Sequence, residues 1–287
     1  MTHTTRAWLQ IHFCVILWGF TAILGKTITL PALPLVWLRM IVVTAVLMFV
    51  PAFWRGLAGM PPRLIATYAG IGILVTAHWV TFYGAIKLAN ASVAATTMAV
   101  TPVFVAFVEP LLLRRRFDVR ELFFGLAVVP GVALVAGGTP AGMRAGIAVG
   151  IVSALFAALF SVLNKRFVEK GPALTVTGLE IAAGAICLTF ISPWVLPSRN
   201  DAVLLLALAI FCTLVPFALS LVALRHLSAF SSVLAVNMEP VYAIVLAIIL
   251  LGEQRELTAT FYVGVAIIMG VVFGHGRAER YRKTISV

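Results

Sequence analysis

The chain has 287 residues, of which 62% are apolar and 11% are charged. Soluble domains are roughly 45–50% apolar, so this composition excludes a soluble globular protein, which could not hide so much apolar surface from water. The formal net charge of +11 is compatible with binding to nucleic acid or to a membrane surface, and the positions of the basic residues decide between the two.

Ten apolar runs follow one another along the chain, each close to the ~20 residues that an α-helix needs to cross a hydrocarbon core. The connections between them are mostly shorter than about 12 residues, too short for a folded soluble domain. The predicted fold class is therefore an all-α membrane protein with ten transmembrane helices. The predicted spans are 8–25, 34–53, 64–84, 91–113, 119–138, 143–164, 172–196, 201–224, 229–251 and 257–276.

The basic residues are sorted by the predicted spans. Fifteen of the 21 Lys and Arg residues fall on the side of the N-terminus, including Arg277, Arg280, Arg282 and Lys283 after the last span. This sorting follows the positive-inside rule and predicts a multi-pass protein of the cell (plasma or inner) membrane with both termini in the cytoplasm. The positive charge is thereby attributed to topology and anionic lipid, and no nucleic-acid partner is expected.

The two halves of the sequence repeat with a shift of about 138 residues. Ala85-Ile86-Lys87 aligns with Ala223-Leu224-Arg225, and Thr101-Pro102-Val103-Phe104 aligns with Glu239-Pro240-Val241-Tyr242. We therefore divide the chain into residues 1–140 and 141–287, with five spans in each part. Because five is odd, the second repeat must enter from the opposite face, and inverted repeats of this kind build the cavities of secondary transporters.

Polar and aromatic side chains inside the first four spans are candidate substrate-binding residues, because polar groups at membrane depth are costly unless they are used or paired. Arg39 could attract a substrate or snorkel to the outer interface. The aromatic residues could hold a cationic or aromatic substrate or simply fill the membrane span. A Thr-Pro pair in the fourth span predicts a kink. These candidates are Trp18, Arg39, His78, Trp79, Tyr83 and Thr101.

The second half adds Glu180, Asn237, Glu239 and Tyr242 as candidates. Glu239 lies ten residues into its span, roughly 15 Å deep at about 1.5 Å per residue. Pro240 removes a backbone donor, so the helix should bend or open near Val236. Glu239 could be a cation or proton site facing a cavity, or a protonated group that joins neighbouring helices. Glu180 could pair with another group, line the cavity or act at a gate.

These residues resemble the drug/metabolite transporter superfamily in its EamA-type branch. The resemblance covers nearly the whole chain as two EamA-like repeats, and it rests on Leu17-Trp18-Gly19-Phe20, Leu38-Arg39, Thr101-Pro102-Val103-Phe104, Met238-Glu239-Pro240-Val241-Tyr242 and Leu250-Leu251-Gly252-Glu253. It implies a ten-helix carrier that usually exports small metabolites such as amino acids or amphipathic compounds. It also implies that the fifth and tenth helices lie away from the cavity.

The leading hypothesis is a secondary transporter that exports small metabolites by alternating access around a midplane site between the two inverted repeats. A Walker-type nucleotide loop is absent from the sequence, as are the GxSxG and HExxH motifs, so neither an ATPase nor an enzyme is expected. A channel or a non-transporting sensor on the same scaffold stays open as an alternative. The expected partners are a small-molecule substrate, membrane lipid and a coupling proton, with a homodimer as an open alternative and no cofactor or metal.

Overall fold

Fifteen α-helices, joined by short turns, account for most of the computed structural model, which describes the backbone of residues 3–285 and the side chains of residues 3–271. The side chains of the C-terminal basic residues Arg277, Arg280, Arg282 and Lys283 lie outside this range. Within the described residues there is no β-strand. The helices are α1 (His3–Thr27), α2 (Ala32–Met48), α3 (Pro51–Ala58), α4 (Pro62–Leu88), α5 (Ala91–Thr97), α6 (Thr101–Leu113), α7 (Val119–Ala127), α8 (Val129–Gly137), α9 (Arg144–Phe167), α10 (Ala173–Thr189), α11 (Arg199–Ala209), α12 (Val215–Leu224), α13 (Ala229–Val236), α14 (Glu239–Leu251) and α15 (Ala259–Ile285).

Seven helical segments of the described chain are long and apolar enough to cross a membrane. They are His3–Thr27, Pro62–Leu88, Ala91–Leu113, Val119–Gly137, Ala141–Phe167, Arg199–Leu224 and Ala229–Leu251. An eighth candidate is the pair α2 and α3, which meet at an angle of 84°. Two shorter apolar helices, Ala173–Thr189 and Ala259–Val271, complete the set. Each of these pieces overlaps one of the ten predicted spans.

The second predicted span, 34–53, is wrong at its C-terminal end. The helix stops at Met48, and the chain turns by 84° before α3 begins at Pro51. Proline fits the first turn of a helix, where its missing N–H is not needed, but it cannot continue the hydrogen-bond ladder of a preceding helix. The seventh predicted span, 172–196, is likewise too long, because α10 ends at Thr189 before Pro193.

Four of the spanning segments are interrupted next to a proline, and in Val119–Gly137 the break lies at Val128, before Pro130. A 3₁₀ turn at Met98–Val100 precedes Pro102, and a π-helical turn at Ile210–Leu214 precedes Pro216. In the ninth predicted span, α13 ends at Val236 and α14 begins at Glu239, before Pro240. The opening predicted near Val236 is therefore confirmed. In each case the proline has no backbone N–H, so a carbonyl of the preceding turn lacks its usual helical hydrogen-bond donor.

The helices pack in a pattern that stays the same when the two halves are exchanged. Helix α9 packs against α4 and α6, and its counterpart α1 packs against α12 and α14. Helix α2 packs against its own counterpart α10, and α8 packs against its counterpart α15. This is the pairing that two structurally similar halves related by a twofold axis would give.

Two glutamates join the halves by capping a helix of the opposite repeat. Glu253, after α14, accepts hydrogen bonds from the backbone N–H groups of Ala91 and Ser92 at the start of α5, both at 3.0 Å. Glu109, on α6, accepts one from the N–H of Phe230 at the start of α13, at 3.1 Å. The first N–H groups of a helix have no partner within it and attract negative charge. Each repeat thus holds the start of a broken helix in the other.

The two capping arrangements differ because of one change of charge. Arg114 and Gly252 occupy equivalent positions at the ends of α6 and α14, and both adopt the left-handed conformation, with φ of 54° and 70°. The next residue is Arg115 in the first half and Glu253 in the second. Arg115 pairs with Glu109 at 3.2 Å. The capping glutamate of the first half therefore comes from within α6.

The exterior of the described helices is apolar. Ile186, Phe211 and Ile249 are each more than 60% exposed on separate helices. Large apolar side chains at such exposure are unfavourable in water but match the hydrocarbon of a bilayer. The structure thus supports a multi-pass membrane protein.

Candidate functional site

A cavity lies between the two halves of the molecule and draws its walls from both. It contains about 1020 Å³ of space free of atoms, including its open mouth. Helices α1, α2, α4 and α6 contribute from the first half, and α9, α12, α13 and α14 from the second. Among the described residues, none of α7, α8 or α15 lines the cavity, in keeping with the resemblance, which implies that the fifth and tenth helices lie away from it.

The lining combines an aromatic wall with scattered polar groups. The described lining residues are Ile11, Trp18, Thr21, Arg39, His78, Trp79, Phe82, Met98, Thr101, Ala157, Phe160, Ser161, Asn164, Phe217, Ser220, Leu221, Leu224, Ser232, Val233, Val236, Asn237 and Glu239. Arg39 and Glu239 are the Arg and the Glu among these lining residues, which otherwise include no Lys, Arg, Asp or Glu. A mostly apolar pocket with a few polar groups is typical of a small-molecule site.

Arg39 is held in the cavity wall by three contacts to its guanidinium group. Its Nε donates a hydrogen bond to Oγ1 of Thr213 at 2.5 Å, and its Nη1 donates to the hydroxyl of Tyr83 at 2.8 Å. Its Cζ lies 3.8 Å from the centre of the Trp79 ring, a cation–π contact. The side chain is only 1% exposed, so the alternative in which Arg39 snorkels to the interface is wrong.

The π-helical turn Ile210–Leu214 explains how Thr213 reaches Arg39. Thr213 lies within this turn, and its Oγ1 donates to the carbonyl of Leu208 at 2.7 Å while accepting from Arg39. A π-helical turn inserts one extra residue into a helix and commonly occurs at functional sites. Pro216, two residues beyond the turn, was a signal for this interruption, although the sequence pattern did not reveal Thr213.

Glu239 lies in the cavity wall at the first position of α14. It makes no hydrogen bond or ion pair with any side chain that the structure describes, but it interacts electrostatically with Arg39. Its position at the start of a helix places the carboxyl group near backbone N–H groups that favour negative charge. Of the two charged residues in the described lining, Glu239 is thus the one without a hydrogen-bond partner among the described side chains.

His78 is fixed by the backbone of α9. Its Nδ1 lies 3.1 Å from the carbonyl oxygen of Ser153 and 2.8 Å from Ser153 Oγ, which itself donates to the carbonyl of His78. A carbonyl oxygen can only accept, so the contact with the Ser153 carbonyl is a hydrogen bond in the tautomer that carries its proton on Nδ1. This tautomer leaves Nε2 as an acceptor in the neutral ring. The ring also contacts Phe82 and Phe160, which places it within the aromatic wall.

Thr101 and Asn237 both lie in the lining, next to the helix interruptions. Thr101 Oγ1 donates to the carbonyl of Met98 at 2.6 Å, within its own chain segment. Asn237 Nδ2 donates to the carbonyl of Ala99 at 3.3 Å, across the boundary between the halves. The two interrupted helices are therefore in direct contact at the cavity.

Three of the predicted site residues lie outside the lining. Tyr83 is fully buried behind the wall, where its hydroxyl accepts a hydrogen bond from Arg39 and its ring contacts Phe82, both of which line the cavity. Glu180 is also fully buried and accepts a hydrogen bond from Asn164, which does line the cavity. Tyr242 is 37% exposed on α14, and its Cβ lies close to Gly19 of α1. The remaining predicted residues, Trp18, Arg39, His78, Trp79, Thr101, Asn237 and Glu239, line the cavity.

Sequence reasoning missed several lining residues of the second half. Ser161 and Asn164 lie one turn apart on α9, and Ser220 lies on α12. Phe160 and Phe217 complete the aromatic wall opposite Trp79 and His78. Ser161 and Asn164 were detectable as polar residues in an apolar run, whereas Phe160 and Phe217 were indistinguishable from ordinary apolar residues of a membrane helix.

Comparison with known proteins places this cavity in a family. The profile described as the EamA-like transporter family matches residues 6–137 and 144–274. The chain belongs to the EamA-like transporter family. It therefore consists of two EamA repeats, and the family comprises transporters of the drug/metabolite transporter superfamily.

One solved structure, described only as "Crystal structure of protein", shares the fold of this EamA chain. The two align with a TM-score of 0.67 and 20% sequence identity over 93% of this chain and 95% of the other. At that identity the similarity establishes the fold alone. Among curated proteins, none matches this sequence.

Proposed function

We propose that the protein is a secondary transporter that exports small amphipathic or aromatic metabolites, including organic cations and amino acids. The observation that carries the proposal is the cavity between the two halves, where Glu239 lacks a partner among the described side chains beside an aromatic wall. Such a wall suits flat apolar groups, and a free carboxylate suits a cationic group or a proton.

The proposed topology has ten transmembrane spans arranged as two inverted five-helix repeats, 1–140 and 141–287, with both termini in the cytoplasm of the cell membrane. Seven spanning segments, one bent pair and two shorter apolar helices supply ten pieces at the expected places. The exchange symmetry of the helix contacts supports the repeat. The concentration of Lys and Arg in the loops on the side of the N-terminus supports the orientation.

The proposed mechanism is alternating access, in which the halves rock around the cavity. The helix interruptions at Met98–Val100 and at Asn237 and Met238 lie in the cavity wall, where a change of backbone angle would move both a helix and a binding residue. Broken helices at the interface of repeats are a recurring feature of secondary transporters. The hydrogen bonds by which Glu253 caps α5 and Glu109 caps α13 would be strained, or broken and formed again, as the halves move.

In this proposal Glu239 and Arg39 have different roles. Glu239 binds the cationic group of the substrate or the coupling proton. Arg39 has two hydrogen bonds and a ring contact that fix its position, so it presents a fixed positive charge rather than a mobile one. A substrate carboxylate would be attracted to this charge, whereas a substrate cation would be directed toward Glu239.

Three compounds with the same ring test these roles. Phenethylamine carries a cation, phenylpropionate an anion and phenylalanine both, so purified protein in liposomes should transport those that the site accepts. Glu239→Gln is expected to reduce transport of phenethylamine at least tenfold and to affect phenylpropionate least. Glu169→Gln, at an exposed site on the loop after α9, is the matched control. Wild-type rates for all three compounds in Glu239→Gln would remove Glu239 from the mechanism.

The alternative functions are a channel and a non-transporting sensor. A channel would give currents in a planar bilayer far above the turnover of a carrier. A sensor would be stabilised by a ligand without moving it, which a thermal-shift screen of amino acids, amines and nucleobases would detect. Ligand stabilisation without uptake or efflux would exclude the transporter.

A further inference from the structure

Glu180 is a buried acid that the cavity itself does not use. It lies on α10 with no exposed surface. Its Oε2 accepts a hydrogen bond from Nδ2 of Asn164 at 3.3 Å, and its Oε1 has no hydrogen-bond partner among the described residues. An ionised carboxylate removed from water with a single hydrogen bond is strongly disfavoured.

The side-chain amide of the neighbouring Asn164 likewise lacks one hydrogen bond. Its Oδ1 is also buried without a partner in the described part of the chain. Both unpartnered atoms, Oε1 of Glu180 and Oδ1 of Asn164, are acceptors when the carboxyl group is ionised. A proton on Glu180 would supply the missing donor, so that an acid and an amide could satisfy each other with two hydrogen bonds.

The charged and titratable groups around Glu180 do not replace that donor. Tyr68, on α4, interacts electrostatically with Glu180, but its hydroxyl donates to the carbonyl of Phe167 at 2.9 Å. The ion pairs closer than 4.0 Å among the described residues are those of Arg115 with Glu109 and Glu121. No described Lys, Arg or His therefore lies within that distance of the Glu180 carboxylate.

The cationic groups of the other helices packed against α10, and of the residue after α12, form no ion pair with Glu180 in the described part of the chain. Arg39, on α2, is bound to Thr213 and Tyr83. Arg225, which follows α12, donates from Nη2 to the carbonyl of Gly171 at 2.8 Å; its buried Nε has no hydrogen-bond partner among the described residues and does not reach Glu180. The one basic residue of α3, Arg55, is exposed. Because no described cation pairs with Glu180, a proton is the species that can neutralise its carboxylate.

We propose that Glu180 and Asn164 form a proton-binding site separate from Glu239. The Glu180 carboxylate takes one proton from water in the cavity and becomes a neutral acid, whose O–H donates to Asn164. Release breaks that O–H bond, returns the proton to water and restores the carboxylate. No other group is oxidised, reduced or transferred.

The place of Asn164 makes this site relevant to transport. Asn164 lines the cavity while it binds Glu180, so one side chain separates the buried acid from the substrate space. Opening of the cavity toward one side would expose the acid to the pH of that side. The link to transport rests on the proposed function, whereas the protonation itself does not.

Infrared spectroscopy of the purified full-length protein tests the protonation without any transport. A carbonyl band of a protonated carboxylic acid should be present in the wild-type protein at neutral pH and lost in Glu180→Gln. Glu169→Gln, an exposed site, should leave the band unchanged. Glutamine can form the same pair of hydrogen bonds with Asn164, so this variant should fold. An identical band in wild-type protein and in Glu180→Gln would overturn the proposal.

A second variant covers the case in which Glu180→Gln fails to fold. Asn164→Ala removes the amide that binds the acid, and the carbonyl band should move to higher frequency because its hydrogen bond is lost. An unmoved band would overturn the pairing. If the band behaves as expected while liposomes show no transport, the proton site stands and the proposed function fails. If transport occurs but the band is absent, this inference alone fails.

Discussion

Asn237 donates a hydrogen bond to the carbonyl oxygen of Ala99, 138 residues earlier in the chain. That separation equals the shift that aligns the two repeats, so the bond joins a residue to its own counterpart. Equivalent residues of two repeats can touch only where the symmetry axis passes between them. An axis relating the two repeats would therefore pass beside Asn237 in the cavity wall, where the polar Asn237 opposite the apolar Ala99 breaks the symmetry.

Replacing Asn237 with Leu should destabilise the protein modestly. The substitution removes the donor and leaves the Ala99 carbonyl without this partner at a helix interruption. Hydrogen bonds between membrane helices contribute about 0.6 kcal/mol on average and up to about 1.7. A lower midpoint of thermal unfolding in detergent is expected, whereas Asn200→Leu, at an exposed position, should not lower it. Equal midpoints for the two variants would contradict a structural role for the bond.

Arg39→Lys should be destabilising despite keeping the charge. A lysine ammonium cannot bind Thr213 and Tyr83 together while presenting a flat face to Trp79. Loss of hydrogen bonds to a charged donor costs about 1.5–3 kcal/mol each. Denaturation in detergent should show the loss, and Tyr83→Phe, which removes one of these bonds, should lie between it and the wild type. Arg199→Lys at the exposed start of α11 is the control.

The two helix caps should differ in strength. Glu253 accepts from two backbone N–H groups and from the Ser92 hydroxyl, whereas Glu109 accepts from one N–H and pairs with Arg115. Removing a capping residue costs about 0.5–2 kcal/mol. We therefore expect Glu253→Ala to lower the unfolding midpoint more than Glu109→Ala does. The reverse order would show that the ion pair with Arg115 contributes more to stability than the larger number of hydrogen bonds accepted by Glu253.

Arg114→Gly should stabilise the protein. Arg114 adopts a left-handed conformation, with φ of 54°, that costs a residue with a Cβ roughly 1–2 kcal/mol and costs glycine little. The equivalent Gly252 already has this advantage, so Gly252→Ala should be destabilising by a similar amount. Arg116→Gly, two residues away, should bring no gain, because Arg114 is the described non-glycine residue with positive φ. A loss of stability in Arg114→Gly would refute the argument.

Gly146→Ala should disturb the contact between α9 and the end of α4. A Cβ at Gly146 would lie 2.7 Å from the Cβ of Ala89 and 3.0 Å from the carbonyl oxygen of Ala85. Overpacking of this kind costs typically about 1–3 kcal/mol. A Cβ at Gly142, four residues earlier, would meet nothing within 4 Å, which makes Gly142→Ala the control. Similar unfolding midpoints for both variants would show that α9 can move to relieve the contact.

The sequence by itself determined the membrane class, the repeat and most of the polar candidates. Apolar runs of fixed length are a direct consequence of bilayer thickness, and the opening near Val236 follows from Pro240, because proline lacks a backbone donor. Seven of the ten predicted site residues line the cavity for a related reason: polar groups at membrane depth usually face an interior space.

Only the tertiary structure decided how those groups are paired. The sequence left Arg39 either at the interface or in the cavity, and its contacts with Thr213 and Tyr83 settle its place because they come from helices far away in the chain. The pairing of Glu180 with Asn164 depends likewise on how α9 packs against α10. Hydropathy records how deep a residue lies in the membrane, but not which neighbour it faces, since that is fixed by the rotation and packing of helices.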